Sequence, residues 1–183
     1  MFIGLRELEL QTVRFDVDVP PGEIDYDAKL TQDSVLHAEG TAQLISQSLG
    51  EIRVSGDLKT TMQGTCDRCL EAARFPVSSH FDLVYLPSGG AASGGEDEVD
   101  EAAVEVGYYE GSGLDLNDIL REVVLLALPM QMVCSEECKG ICPLCGQNRN
   151  QQECDCHLEA VDDRWSKLKA FRSETGQPQT SKN

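Results

Sequence analysis

Residues 52–85 read IRVSGDLKTTMQGTCDRCLEAARFPVSSHFDLVY, and the period of this stretch decides the fold. Ile52, Val54, Leu58 and Met62 share one face with Gly56, opposite Arg53, Asp57 and Lys59. Phe75, Val77, Phe81, Leu83 and Tyr85 also fall on one face. Alternation with period two marks a half-buried strand, because successive side chains point to opposite faces of a sheet. Between the two runs lies Cys66-Asp67-Arg68-Cys69-Leu70. That places a Cys-x-x-Cys at a turn, where its sulfurs can project from a rigid sheet.

The same pattern extends towards the N-terminus. Val13, Phe15, Val17 and Val19 alternate with Arg14, Asp16 and Asp18, and Pro20-Pro21-Gly22 ends the run. Ile24 to Leu30 reads as a connector or short edge strand, and Val35 to Leu44 as another extended run. Leu49-Gly50-Glu51 reads as a hairpin turn. Residues 87–103 break the pattern with Gly, Ser and Ala followed by Glu96, Asp97, Glu98, Asp100 and Glu101, the composition of a solvated flexible loop. Val104 to Tyr109 reads as one more strand. Asp115 to Leu128 reads as a helix, with Asp115 as its cap. Its stripe of Ile119, Leu120, Val123, Val124, Leu126 and Ala127 packs on the sheet, and Pro129 stops it. Val161 to Arg172 reads as a terminal helix carrying Trp165 and Leu168, and 173–183 as a disordered tail.

The expected fold is therefore α+β: a mainly antiparallel β-sheet or partly closed barrel, one packed helix, and a Cys-rich C-terminal region. Residues 1–129 form an acidic β-rich domain and 130–172 the Cys-rich region with its terminal helix.

The chain has 183 residues, a formal charge of -17 and 8 cysteines. Residues 1–129 hold 8 Lys+Arg against 24 Asp+Glu, whereas 130–183 hold 7 against 8. An acidic body has no electrostatic route to nonspecific nucleic-acid binding, which depends on cationic side chains releasing phosphate counterions. It attracts basic partners instead. No stretch approaches the ~18 apolar residues of a membrane span. Arg6, Glu7 and Glu9 interrupt what a signal peptide would keep apolar. A cytoplasmic protein with no membrane partner is expected.

Eight cysteines in such a chain point to metal binding or redox chemistry. They fall as Cys66-x2-Cys69, Cys134-x3-Cys138-x3-Cys142-x2-Cys145 and Cys154-x-Cys156. Thiolates a few residues apart can take adjacent corners of a tetrahedron, and zinc prefers four such ligands in closed structural sites. The preferred partition is Cys66, Cys69, Cys134 and Cys138 around one zinc ion, and Cys142, Cys145, Cys154 and Cys156 around a second. The first would clip the tail to the sheet domain. Cys154-x-Cys156 is tight for one ion, so one of these cysteines could be spare, His157 could replace either, and a single site drawn from the six late cysteines is the fallback. A redox pair at Cys66 and Cys69, with Arg68 lowering a thiol pKa, is the rival reading. Its surroundings are strand-turn-strand rather than the βαβ context of such motifs. His37 and His80 lie in predicted strands and read as surface residues. No pair of acidic residues is singled out by spacing, and nothing in the pattern makes a case for an enzyme.

In Cys66-Asp67-Arg68-Cys69-Leu70-Glu71, in the run from Cys134 to Asn148, and in the Cys154-Asp155-Cys156 ending, the chain resembles the YceD family of large ribosomal RNA subunit accumulation proteins. The order of sheet, acidic loop, helix and Cys-rich tail fits as well, over about residues 5–172. The resemblance implies a cytoplasmic bacterial protein with a role in synthesis, processing or stability of 23S rRNA, and so in large-subunit assembly. Combined with the charge, it points to contact with a basic ribosomal protein or assembly factor. Direct contact of the tail with 23S rRNA or its precursor would instead use Lys139, Arg149, Arg164, Lys167, Lys169 and Arg172. A thiol redox enzyme or zinc-regulated sensor is the alternative from another class.

Overall fold

Alternation of apolar and polar residues becomes a twisted sheet with one dry face. The computed structural model describes residues 1–26, 29–46, 50–88 and 105–156. In chain order its elements are β1 (Phe2–Gly4), α1 (Leu5–Leu8), β2 (Val13–Val19), β3 (Thr31–Gln32) and β4 (Leu36–Ser46). Then follow β5 (Glu51–Thr65), β6 (Ala72–Pro87), β7 (Glu105–Tyr109), β8 (Gly113–Asp115) and α2 (Leu116–Ala127). The main sheet runs β2-β4-β5-β6-β7, with β3 paired to the far part of β5, and β1 pairs β8 separately.

All pairings are antiparallel except β6 with β7, which is parallel. A parallel neighbour needs a crossover of a dozen or more residues, and the stretch between Pro87 and Glu105 supplies that length. The partly closed barrel does not form among the described residues, since the strand path ends at β2 and β7 without joining them. Closure is not needed to dry the apolar face. Ile3, Leu8, Ile24, Leu114, Leu116, Ile119, Leu120, Val123 and Val124 join the sheet's Leu36, Ile52, Val54, Leu58, Phe81 and Leu83 in one core.

Local expectations fare differently. Ile24–Leu30, read as a connector or short edge strand, is a connector among its described residues, and a short strand follows it at Thr31–Gln32. The helix begins with Asp115 accepting a hydrogen bond from the Asn117 N–H at 3.0 Å, and Leu128 is extended ahead of Pro129. Leu126 and Ala127, both expected in the packed stripe, are exposed, Leu126 to 63%, because the last turn of α2 lines an open groove beside Ser79 to Leu83. β6 runs on to Pro87, the first residue expected in the loop at 87–103. Residues 89–103 of that loop, the terminal helix at 161–172, the tail at 173–183 and His157 lie outside the described residues.

Two glycines set how the sheet packs. Phe15, Gly40, Gly56 and Phe81 stand in one cross-strand row on the dry face. Both phenyl rings fold inward over the glycines: a Cβ on Gly40 would meet the Ser55 carbonyl oxygen first and then Phe15 Cζ at 2.6 Å, and one on Gly56 would meet the Glu39 carbonyl oxygen first and then Phe81 Cζ at 3.1 Å. The next row, on the wet face, is Asp16, Glu39, Asp57 and His80. Three carboxylates stand directly opposite one another there, an arrangement that costs stability. His80 Nδ1 lies 3.1 Å from Asp57 Oδ1, and His37 Nδ1 lies 2.8 Å from Asp18 Oδ1, so both histidines sit on the exposed face beside acids.

Gly40→Ala and Gly56→Ala are each expected to destabilise the chain by about 1–3 kcal/mol, the usual cost of overpacking. Urea unfolding measures this, and unchanged stability in both variants would show that the rings do not need the bare backbone.

Candidate metal centres

The turn between β5 and β6 and the turn at 142–147 are built alike. Cys66 N–H donates to Glu71 O at 2.8 Å, and Leu70 N–H to Cys66 O at 2.9 Å. Cys142 N–H donates to Gln147 O at 2.8 Å, and Gly146 N–H to Cys142 O at 2.8 Å. The fifth residue of each is left-handed, with φ 62° at Leu70 and 74° at Gly146. This tight return turns backbone N–H groups towards the first sulfur and brings the second beside it.

The tail is laced to the first turn by matched polar contacts. Asp67 N–H donates to Met132 O at 2.7 Å, and Met132 N–H donates to Asp67 Oδ2 at 2.6 Å. Arg68 Nη1 donates to the carbonyls of Glu136 at 3.1 Å and Cys138 at 3.4 Å. Ile141 N–H donates to Arg68 O at 2.9 Å. Gly140, at φ 69°, lets this approach happen, since a Cβ there would meet Arg68 O at 2.9 Å. Gly64 makes room for Met132, whose Cε would lie 2.6 Å from a Cβ at that position.

These contacts bring together Cys66, Cys69, Cys134 and Cys138, with all four sulfurs within 4.8 Å of one another. Cys66 and Cys138 sulfurs are 3.9 Å apart, and those of Cys69 and Cys134 are 3.8 Å apart. A thiolate tetrahedron with bonds of ~2.3 Å has edges of about 3.8 Å, and a disulfide would need ~2.05 Å. The first set is largely dry, beside Ala73 and Phe75 with Leu128, Met132 and Val133 around it. Cys142, Cys145, Cys154 and Cys156 form a second set within the same 4.8 Å limit. Both sulfurs of the tight Cys154-x-Cys156 pair join it. Each set can hold a metal ion.

The protons on these sulfurs are unevenly held. Burial pushes the Cys66 thiol up, but hydrogen bonds from the backbone at Cys69, Cys134 and Arg68 outweigh it and bring the thiol down to about 6. The backbone at Cys145 and Leu144 does the same for Cys142, again to about 6. Cys134 is pushed up to about 12, first by its hydrogen bond with Cys138 and then by burial. Cys156 is pushed to about 12 by Cys145 and burial. Cys138 is lowered as well, first by the Asn150 side-chain hydrogen bond, so each set has at least one sulfur ready to carry charge beside another that keeps its proton. A bound dication removes that conflict, because it deprotonates coordinating thiols.

Against the rival redox pair, the Arg68 guanidinium is turned to the tail, where it clamps the Glu136 and Cys138 carbonyls. Lys139 pairs with Glu153 at 3.6 Å, while Arg149 is exposed. Arg164, Lys167, Lys169 and Arg172 lie outside the described residues. Sequence reasoning missed Glu71, Gly140 and Asn150. Asn150 donates from Nδ2 to Cys138 Sγ at 3.3 Å, and a lone amide in a polar loop carries no pattern that reveals this.

Fold and site together define a sheet-dominant α+β protein with two four-cysteine sets, one shared by hairpin and tail and one within the tail. The family model described as "Large ribosomal RNA subunit accumulation protein YceD" matches residues 54–172, and the chain belongs to that family. It is 24% identical over 180 residues to "Large ribosomal RNA subunit accumulation protein YCED homolog 1, chloroplastic" of Arabidopsis thaliana, covering 85% of this chain and 56% of that one. An uncharacterised protein of Mycobacterium tuberculosis is 29% identical over 139 residues, covering 76% of this chain and 63% of its own. The chain therefore spans between about half and two thirds of the length of these relatives. No solved structure matches it. Among the described residues, no helix is long and apolar enough to cross a membrane.

The two left-handed positions should respond oppositely to substitution. Gly146→Ala meets no atom within 4 Å, so it should lose only the left-handed backbone preference, about 1–2 kcal/mol. Leu70 is 60% exposed, so Leu70→Gly should cost little packing and gain up to about 1 kcal/mol after glycine's extra unfolded-state entropy is counted. Amide exchange at Cys142 and Cys66 reports each turn. Slower exchange on Gly146→Ala would contradict the strain argument.

Proposed function

We propose that this chain is a non-enzymatic factor supporting 23S rRNA synthesis, processing or stability and large-subunit assembly, through contact with a basic ribosomal protein or assembly factor. The family match over residues 54–172 supports the ribosomal role. The observation that carries the route is the wet sheet face, where Asp16, Glu39 and Asp57 stand in one row beside Asp18; Arg53 pairs with Asp82 on the same face, and Arg14 and Lys59 flank the row. Like charges directly opposite one another weaken the sheet, so the row holds a repulsion that a cationic partner would relieve. A field of this sign steers and orients a cationic partner and repels the phosphates of naked RNA.

In this reading the acidic part, residues 1–129, supplies the contact surface, and residues 130–172 are the zinc-bearing region. Two structural zinc ions fit the donor sets: Cys66, Cys69, Cys134 and Cys138 would hold one, and Cys142, Cys145, Cys154 and Cys156 the other. Four thiolates suit zinc and close the site, leaving no open position for a substrate. The ions would supply folding energy to a segment with little apolar burial of its own. The protein acts in the cytoplasm, where such thiols stay reduced.

Two experiments test this. Elemental analysis should find about two zinc ions per chain, and chelation should expose the amides of residues 130–156 to exchange while β4 to β6 stay protected. A metal-free protein with a protected tail would refute the zinc reading. Pull-down of the tagged chain from growing cells should recover large-subunit precursors with a basic ribosomal protein, the protein contact surviving RNase. Neutralising the row with Asp16→Asn, Glu39→Gln and Asp57→Asn should weaken that recovery while raising stability by a few tenths of a kcal/mol or more. Recovery lost on RNase alone would replace the adaptor with direct RNA binding.

A further inference from the structure

The two sulfur sets are not independent neighbours along the chain. Cys138 of the first and Cys142 of the second are separated by Lys139, Gly140 and Ile141. Asn150 lies in the loop between Cys145 and Cys154, so both ends of that loop are anchored by the second set. Yet both polar atoms of its side chain serve the first. Nδ2 donates to Cys138 Sγ at 3.3 Å, and Oδ1 accepts from the Lys139 N–H at 2.8 Å.

The loop is held against the first set by further contacts. Arg149 N–H donates to Gly140 O at 2.9 Å, and Ile141 and Asn148 form a β-bridge. Asn148 Oδ1 accepts from the Asn150 N–H at 3.0 Å. Asn148 Nδ2 and Gln151 Nε2 both donate to Glu71 Oε1, at 3.3 and 3.2 Å. Glu71 is also the residue whose carbonyl closes the Cys66 turn. Every anchor of Asn150 is polar, and residues 149–153 are exposed. Apolar burial therefore offsets little of the entropy of ordering this loop. The remaining source of order is ligation at its two ends.

We propose that Asn150 couples the two metal centres: metal at the second set orders the loop, and the ordered loop delivers an N–H donor to the Cys138 thiolate of the first. The inference rests on the reading that both sets hold metal ions. A four-thiolate site with a dication keeps a net negative charge, and a hydrogen bond to one sulfur eases it. Partners of this kind are typically worth about 10–100-fold in metal affinity. Coupling of binding is reciprocal, so metal at the first set must favour the second by the same factor. Asn150 is a positioning residue, not a ligand.

The test uses the full chain titrated with cadmium, whose NMR resonances report the two four-sulfur sites separately, in competition with a chelator. Asn150→Ala should weaken the first site by about 10–100-fold. Asn150→Asp keeps an acceptor for Lys139 but has no N–H for the sulfur, and should weaken it at least as much. Disabling the second set with Cys145→Ser and Cys156→Ser should lower affinity at the first, and that loss should shrink once Asn150 is already alanine. Circular dichroism of the sheet confirms that each variant is folded.

First-site affinity that ignores the second set would overturn the coupling, even if Asn150→Ala weakens it. So would an Asn150→Asp variant with wild-type affinity. A wild-type chain that takes up no cadmium would instead overturn the metal reading beneath the inference.

Discussion

Fourteen successive residue pairs join β5 to β6, from Ile52 opposite Tyr85 to Thr65 opposite Ala72, with no bulge between them. At ~3.4 Å per residue this ladder is about 45 Å long. Its middle is clamped between β4 and the core, and its end is a turn bearing Cys66 and Cys69. A cysteine pair on a free loop would have to be ordered by the metal itself. Here the ladder has already ordered it, and the tail comes to the pair. The Asp67–Met132 exchange of hydrogen bonds and the Arg68 clamp then decide where Cys134 and Cys138 arrive.

The second turn repeats the first without a sheet beneath it. The hydrogen bonds are the same, the left-handed fifth position is the same, and only the support differs. Leu70 can be tolerated in a strained conformation because the ladder enforces it. The corresponding place in the less supported turn is glycine, which adopts that conformation freely. The better supported set thus carries strain, and the exposed set is built from residues that need none.

The two faces of the sheet divide the remaining work. On the dry face, glycines at 40 and 56 let Phe15 and Phe81 close over the backbone, which draws the flanking strands into one layer. On the wet face, one residue out of phase, carboxylates accumulate. A period of two keeps these demands apart, so opposed carboxylates can stand on the wet face without charging the core.

Much of this was legible in the residues. Strands at 13–19, 52–62 and 75–85, the Asp115 cap and the Pro129 stop follow from period two, capping chemistry and the missing proline N–H. The short cysteine pairs follow from spacing, because thiolates close in sequence can take adjacent corners of a tetrahedron; that Cys66 and Cys69 meet Cys134 and Cys138, the preferred of several partitions, depends on the fold. Other features were not legible for equally physical reasons. β1 and α1 are too short for any period to show. The parallel placement of β7 depends on a crossover, which local pattern does not encode. The open rather than barrel-like sheet depends on what covers its dry face. Leu126 has the spacing of a core residue, but it lines the open groove beside the middle of β6 instead. Composition and spacing alone thus determined the sheet-forming segments, the acidic composition of the body and the short cysteine pairs, since each rests on neighbours in the chain. Only the tertiary structure decided the strand order, the Arg68 clamp and the reach of Asn150 to Cys138, because each joins groups that meet in space only after the chain has folded.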